Sequence, residues 1–229
     1  MIRVFFRLCC FFLLFVATYS LWAQAKWDSI PKQPDHYRKK VEQFNQEKSK
    51  TNRLVFLGNS ITEGGDWKKL TKDTTALNRG ISGDITFGLL ARVDEVTSRK
   101  PSKVFILIGV NDLSKGIPDE VILQNIFMLV KQIQATAPAT KIYVQSILPV
   151  NPSFDNFPKS YDKLDHILVI NMQLQKIAER FGYMYIDLFE KFKDPEGLLD
   201  KRFSYDGLHL NAQGYLLWGE VLRNLKLIK

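Results

Sequence analysis

The chain has 229 residues, 45% of them hydrophobic and 24% charged, with 32 Lys and Arg against 24 Asp and Glu. That balance excludes disordered, collagen-like and low-complexity architectures, and the length supplies one hydrophobic core, two at most. The formal charge of +8 suits an anionic substrate or envelope, but it equally describes a solvated face and selects no partner.

Residues 1–25 read as a signal peptide. Arg3 and Arg7 give a basic start, Leu8 to Ala25 carries no charge, and Ala23-Gln24-Ala25 forms a small-x-small cleavage pattern. A run of about 18 uncharged residues would also just span a bilayer as an uncleaved anchor. Tyr19, Ser20 and Gln24 dilute its end, however. The expectation is export to the periplasm or medium, cleavage after Ala23 or Ala25, and no membrane span afterwards. Cys9 and Cys10 lie inside this segment, well upstream of the cleavage pattern. The mature chain would then hold no Cys and would rest on its core alone.

Residues 26–50 form a polar lead-in with Pro31 and Pro34, then a charge-rich surface helix whose Tyr37, Val41 and Phe44 share one face. From residue 51 onward, short β-branched runs alternate with longer helical periods. Strands are expected at Arg53–Leu57, Ala76–Arg79, Lys103–Ile108, Lys141–Ile147 and Tyr183–Asp187. Helices are expected near Ile85–Ser98, Pro118–Thr136, Tyr161–Phe181 and Ala212–Leu225. Continuous apolar strands separated by amphipathic helices indicate a parallel sheet covered on both faces. Residues 51–229 thus read as one doubly wound α/β domain, a three-layer α/β/α sandwich around a mostly five-stranded parallel sheet, without repeats or linkers.

In such sheets ligands bind beyond the carboxyl ends of the strands. The first strand runs into Gly58-Asn59-Ser60-Ile61-Thr62, the second into Asn78-Arg79-Gly80, and the third into Gly109-Val110-Asn111-Asp112. Asp206-Gly207-Leu208-His209 precedes the last helix. Singly, each has a plain structural role: Ser60 as a helix cap, Asn111 and Asp112 as turn formers, Gly80 as the supplier of a backbone conformation other residues avoid, and His209 as a hydrogen-bonded structural histidine. Together they meet the needs of acyl transfer. Ser60 needs a base, His209 can serve, and Asp206 lies within one turn of it to fix the tautomer. The backbone N–H groups of Ser60 and Gly80 and the Asn111 amide are the candidate oxyanion donors.

In this order the residues resemble the SGNH hydrolases, the GDSL-type esterases, whose four blocks supply Ser, Gly, Asn and His. The matching positions are Ser60, Gly80, Asn111 and His209, with Asp206 as the triad acid, and the likeness runs from about Leu54 to Leu225. One departure is Asn59, where the motif has Asp. No Gly-x-Ser-x-Gly elbow surrounds Ser60, which disfavours the α/β-hydrolase alternative.

The stretches Asn78–Asp84 and Asp206–Asn211 look most like the acetylhydrolase branch, which holds platelet-activating-factor acetylhydrolase subunits and bacterial carbohydrate and sialate O-acetylesterases. The resemblance implies acetyl groups on a small-molecule or glycan ester, with O-acetylated sialic acids foremost. It also leaves a homodimer open. A phospholipid acylhydrolase is the alternative enzyme, and a glycan-binding protein on a disabled hydrolase fold the alternative of another class. Arg79 stands either to meet a substrate carboxylate or to pair with a neighbouring one. Phe154 and Phe157, in the Pro149–Lys159 stretch, either rim the pocket or pack as a surface loop. His36, His166 and His209 lack metal-ligand spacing, so no metal or other cofactor is expected. No phosphate-binding glycine loop is present, and nothing points to nucleic acid.

Overall fold

A computed structural model of the chain describes residues 33–47 and 53–229. The signal-peptide reading, with Cys9 and Cys10, and the first part of the lead-in lie outside the described residues. Five strands, β1 (Leu54–Gly58), β2 (Leu77–Gly80), β3 (Lys103–Leu107), β4 (Lys141–Gln145) and β5 (Met184–Ile186), form one all-parallel sheet in the order β2-β1-β3-β4-β5. This is the doubly wound architecture expected from the sequence. Right-handed crossovers explain its layers. The step from β1 back to β2 puts α2 (Ser60–Glu63) and α3 (Trp67–Thr71) on one side. The forward steps put α4 (Thr86–Ala91), α5 (Val93–Thr97), α6 (Val110–Ser114), α7 (Asp119–Thr136), α8 (Pro158–Tyr161) and α9 (Leu164–Phe181) on the other.

The core is organised by aromatic residues. Phe56, Phe105 and Tyr143 occupy paired positions on β1, β3 and β4, and their rings stack at 4.8 Å from one strand to the next. Trp67 of α3 lies flat on Phe56 at 3.8 Å, and Trp218 of the last helix, α11 (Ala212–Asn224), meets Trp67 edge-on at 4.8 Å. Both indoles are buried, so each N–H needs an acceptor. Trp67 donates to Thr62 O and Trp218 to Gln145 Oε1, both at 2.8 Å. The lead-in helix, α1 (Asp35–Gln46), belongs to the same compact unit, Gln33–Lys229, and buries Tyr37 and Phe44 against Ile81 with Val41 alongside.

Two expected helices divide. Ile85–Ser98 breaks at Arg92, which leaves the helical conformation at φ −125°. Its guanidinium is buried, donating to Gly58 O, Arg79 O and the Asp84 carboxylate. Tyr161–Phe181 begins three residues late because Pro158–Tyr161 forms a separate turn. A further short helix, α10 (Phe189–Phe192), follows β5. The feature that positions the site is the registry of the strand ends: Gly58 pairs with both Gly80 and Leu107. Three loops therefore leave the sheet at one level, beside the point where the strand order reverses.

Candidate active site

At the end of β1 the chain turns at Asn59, which is fully buried and caps α2 by accepting the Ile61 N–H at 3.0 Å through Oδ1. A helix cap needs only an acceptor oxygen, which is why Asn serves where the related motif has Asp. Ser60 thereby becomes the first residue of α2, and its Oγ lies 2.9 Å from His209 Nε2, 149 residues further along the chain.

The partner loop is built from its own hydrogen bonds. An antiparallel bridge between Ser204 and Leu210 closes it, and Ser204 Oγ donates to His209 O at 2.6 Å while accepting the Gly207 N–H at 2.8 Å. Asp206 is buried. Its Oδ1 accepts the N–H groups of Leu208 and His209 at 3.0 and 2.7 Å, and its Oδ2 accepts His209 Nδ1–H at 2.7 Å. With Nδ1 carrying the proton, the Nε2 lone pair is the one that faces Ser60. Phe157 stands edge-on to the imidazole at 5.2 Å and Tyr205 stacks on it at 6.1 Å. Tyr161 OH donates to Asp206 O at 2.6 Å and accepts the Phe157 N–H at 3.0 Å, which ties the Phe157 segment to the Asp206 loop.

Ser60 and His209 open onto a cleft of about 520 Å³, also lined by Ser82, Gly83, Asn111, Ser114, Leu208 and the run Asn156–Ser160. That is a small-molecule volume. Gly80 is absent from this lining, and the structure corrects its expected role. Its N–H is donated to Asn78 Oδ1 at 2.9 Å. A Cβ there would fall 2.1 Å from Glu63 N, so the glycine serves the close approach of β2 to α2. Beyond the strand the chain makes a turn, Ile81 to Asp84, closed by Asp84 N–H to Ile81 O at 3.1 Å. The turn carries Gly83 to the cleft at φ 76°, a conformation that favours glycine. Among the described residues the Gly83 N–H has no acceptor. Of the two glycines in Gly80-Ile-Ser-Gly83, the first marks the strand end and the second carries the turn-forming signal.

Asn111 donates one Nδ2 hydrogen to Asp84 O at 2.9 Å, leaving the second for the cleft. Beneath it, Asp112 is buried and accepts Thr86 N–H at 3.0 Å and Oγ1–H at 2.6 Å, with Asn125 backing Thr86 Oγ1 at 2.9 Å. Burial pushes the Asp112 carboxyl up to about 7 against the pull of those hydrogen bonds. Burial likewise pushes Asp84 up to about 6, opposed by Arg92. Neither carboxyl lines the cleft.

For Arg79 and Phe154 the substrate-binding alternative is corrected, and the pairing and packing alternatives hold. Arg79 does not face substrate. It is 2% exposed, its Nε bridges both Glu95 oxygens at 3.1 Å, it reaches Glu47 at 2.6 Å, and its guanidinium lies 4.4 Å above the Phe44 ring. A buried guanidinium needs partners, and two carboxylates hold it inside the fold. Phe154 packs against Gly207, where an added Cβ would meet its ring at 2.8 Å, and it does not line the cleft. Phe157 does, at 36% exposure. Ser82, Ser114, Asn156 and Leu208 were not singled out from sequence. Among the described residues no group of three or more His, Cys, Asp or Glu is placed to hold a metal ion, and no helix is long and apolar enough to cross a membrane.

The chain belongs to the GDSL-like Lipase/Acylhydrolase family, whose model matches residues 56–217. The family match makes the chain one of the acylhydrolases, enzymes that act on esters. It is 26% identical over 174 residues to platelet-activating factor acetylhydrolase IB subunit alpha2 of Rattus norvegicus, covering 73% of each chain. It is 28% identical over 165 residues to N-acylneuraminate cytidylyltransferase of Escherichia coli, covering 71% of this chain and 37% of that protein. A solved structure from Streptococcus pneumonia, described as a platelet activating factor, superposes with a TM-score of 0.72 at 26% identity, covering 94% of this chain and 98% of that one.

Proposed function

We propose that the protein is an exported serine esterase that removes small acyl groups, acetyl first, from O-acetylated carbohydrates such as sialic acids. The observation that carries this reading is the continuous hydrogen-bonded chain Ser60–His209–Asp206, at 2.9 and 2.7 Å, opening on a cleft that Gly83 and Asn111 also line. Ser60 Oγ attacks the ester carbonyl while His209 Nε2 takes its proton. The resulting oxyanion is held by the N–H groups of Ser60 and Gly83 and the free Asn111 amide hydrogen. Collapse expels the alcohol, which receives the proton from His209. A water, deprotonated by the same nitrogen, then hydrolyses the acyl-serine and restores Ser60.

Substrate class is supported by the lining. Among the described residues Lys159 is the one Lys or Arg in the lining, no Asp or Glu lines the cleft, and Phe157 offers an aromatic edge for a sugar ring. This favours an anionic sugar ester, as does the likeness to a protein named for N-acylneuraminate. Export is supported by the basic start, uncharged run and Ala23-Gln24-Ala25 pattern of the N-terminus. The likeness to the rat acetylhydrolase favours a second reading, an acetyl-bearing phospholipid as substrate. Turnover of p-nitrophenyl esters from acetate to octanoate tests the proposal. Rates should fall with chain length and collapse in Ser60→Ala and His209→Ala. O-acetylated sialic acid against platelet-activating factor then decides between the two readings. A folded protein that neither cleaves an ester nor takes a fluorophosphonate on Ser60 would overturn both.

A further inference from the structure

We infer that His36 is a positioning residue for the oxyanion hole, acting through the Ser82–Gly83 peptide. The inference rests on the reading of Gly83 as an oxyanion donor. His36 lies on α1, outside the residues matched by the family model. Its Nε2 is 2.8 Å from Ser82 O, and since a carbonyl only accepts, Nε2 carries the hydrogen.

Ser82 O and Gly83 N belong to one peptide group, and no peptide among the described residues is cis. In a trans peptide the C=O and N–H point in opposite directions. Holding the oxygen on the α1 side therefore directs the Gly83 N–H away from α1, toward the cleft that Gly83 lines. The restraint is needed because Gly83 is the third residue of the Ile81–Asp84 turn. A glycine there accepts either orientation of the peptide before it, the difference between type I and type II turns. The flipped orientation would place a carbonyl oxygen where the oxyanion forms. A hydrogen bond onto the carbonyl also polarises the amide and strengthens its N–H as a donor.

The rest of Ser82 is held from the same side. Its N–H and Oγ–H both go to Glu63 Oε2, at 2.7 and 2.6 Å, and Glu63 Oε1 is paired with Lys40 of α1 at 2.8 Å. Tyr37 OH reaches Gly88 O at 2.6 Å, and the Tyr37, Val41 and Phe44 side chains pack on Ile81, the first residue of the turn. The helix that precedes the family core thus braces the one loop whose peptide orientation the chemistry depends on.

The test uses the full chain with His36→Ala, His36→Gln and, as a control on the oxyanion reading, Asn111→Ala. His36 is exposed, so its replacement should leave the thermal midpoint nearly unchanged. His36→Ala is expected to lower kcat for acetate esters about tenfold with KM within about twofold, a fraction of the roughly 100- to 1,000-fold lost with a whole donor. Gln, whose amide N–H can meet the same carbonyl, should recover most of it. The Gly83 amide resonance should move in the Ala variant and return in the Gln variant, a readout that needs no turnover. An unmoved resonance, an unchanged kcat, or equal losses in Ala and Gln would overturn the role of His36. If Asn111→Ala loses kcat and His36→Ala does not, only this inference falls. If neither does, the oxyanion reading falls with it.

Discussion

Replacing Asp206 by Asn isolates one hydrogen bond out of three. Oδ1 accepts two backbone N–H groups, at 3.0 and 2.7 Å, and an amide oxygen can keep both, so the loop from Ser204 to Leu210 should persist. What changes is the 2.7 Å contact to His209 Nδ1, where an amide N–H would now face the ring. Two donors cannot share a hydrogen bond, so the imidazole must carry its proton on Nε2. That nitrogen then has no lone pair for Ser60, 2.9 Å away. The wrong tautomer should cost roughly 10⁴-fold in kcat, about 5 kcal/mol of barrier. Asp206→Ala should lose a similar factor and, by releasing both buried N–H groups, melt earlier as well. The comparison is made by p-nitrophenyl acetate turnover beside thermal denaturation of both variants. An Asn variant within tenfold of the native rate, in a preparation where Ser60→Ala is inactive, would refute the reasoning. It would mean that packing by Phe157 and Tyr205, not the carboxylate, sets the imidazole.

Three other outcomes follow from the same geometry. Asn111→Ala should lower kcat about 100- to 1,000-fold with KM nearly unchanged, because its free amide hydrogen acts on the oxyanion and not on bound ester. A rise in KM at constant kcat would contradict this. Asp112 and Asp84, raised to about 7 and about 6 chiefly by burial, keep protons in the native state that the unfolded chain releases near pH 4. Between those values the folded protein binds more protons, so these groups make stability fall as pH rises. Asp112→Asn should flatten that slope in urea titrations from pH 5 to 8, and an unaltered slope would count against it. Arg79→Met should cost about 3 kcal/mol of stability, since Glu95 loses one of its two buried guanidinium partners but keeps Arg99 at 2.7 Å. The ratio of kcat/KM for anionic and neutral acetate esters should not move. A selective loss on the anionic ester would put Arg79 back at the substrate.

What could be read in the sequence followed from periodicity and from the rule that parallel sheets bind at their carboxyl ends. Both act over a few residues or over the whole sheet. Strand positions and the convergence of Ser60, Asn111 and Asp206–His209 came from these signals. The choice between Gly80 and Gly83 depended on a turn just past a strand end, a scale that neither signal resolves. Arg92 is the same kind of case: a helical period ran through it, and the partners its buried guanidinium finds at Gly58 O, Arg79 O and the Asp84 carboxylate lie outside the reach of that period. Arg79 and Phe154 sit where a substrate-facing residue would sit in sequence. The structure turns one toward Glu95 and the other toward Gly207, because burial and packing are decided by partners far away in the chain. The contribution of α1 was hidden for a similar reason. Its apolar stripe was legible, but nothing local marks a polar residue such as His36 as the neighbour of a loop 46 residues downstream.

The separation of 149 residues between Ser60 and His209 has a temporal side. A polypeptide is made from its N-terminus, and here every strand of the sheet, through Ile186, precedes the loop that brings the imidazole. On the proposed mechanism, a growing chain can display Ser60, Gly83 and Asn111 in the loops beyond level strand ends while the serine still has no base beside it. Hydrolytic competence arrives only when the last segment folds back over the sheet. The recovery of activity during refolding is accordingly a clock for that closing event, and spectroscopic signals from the Phe56–Trp67 stack should reach their native value no later than it does.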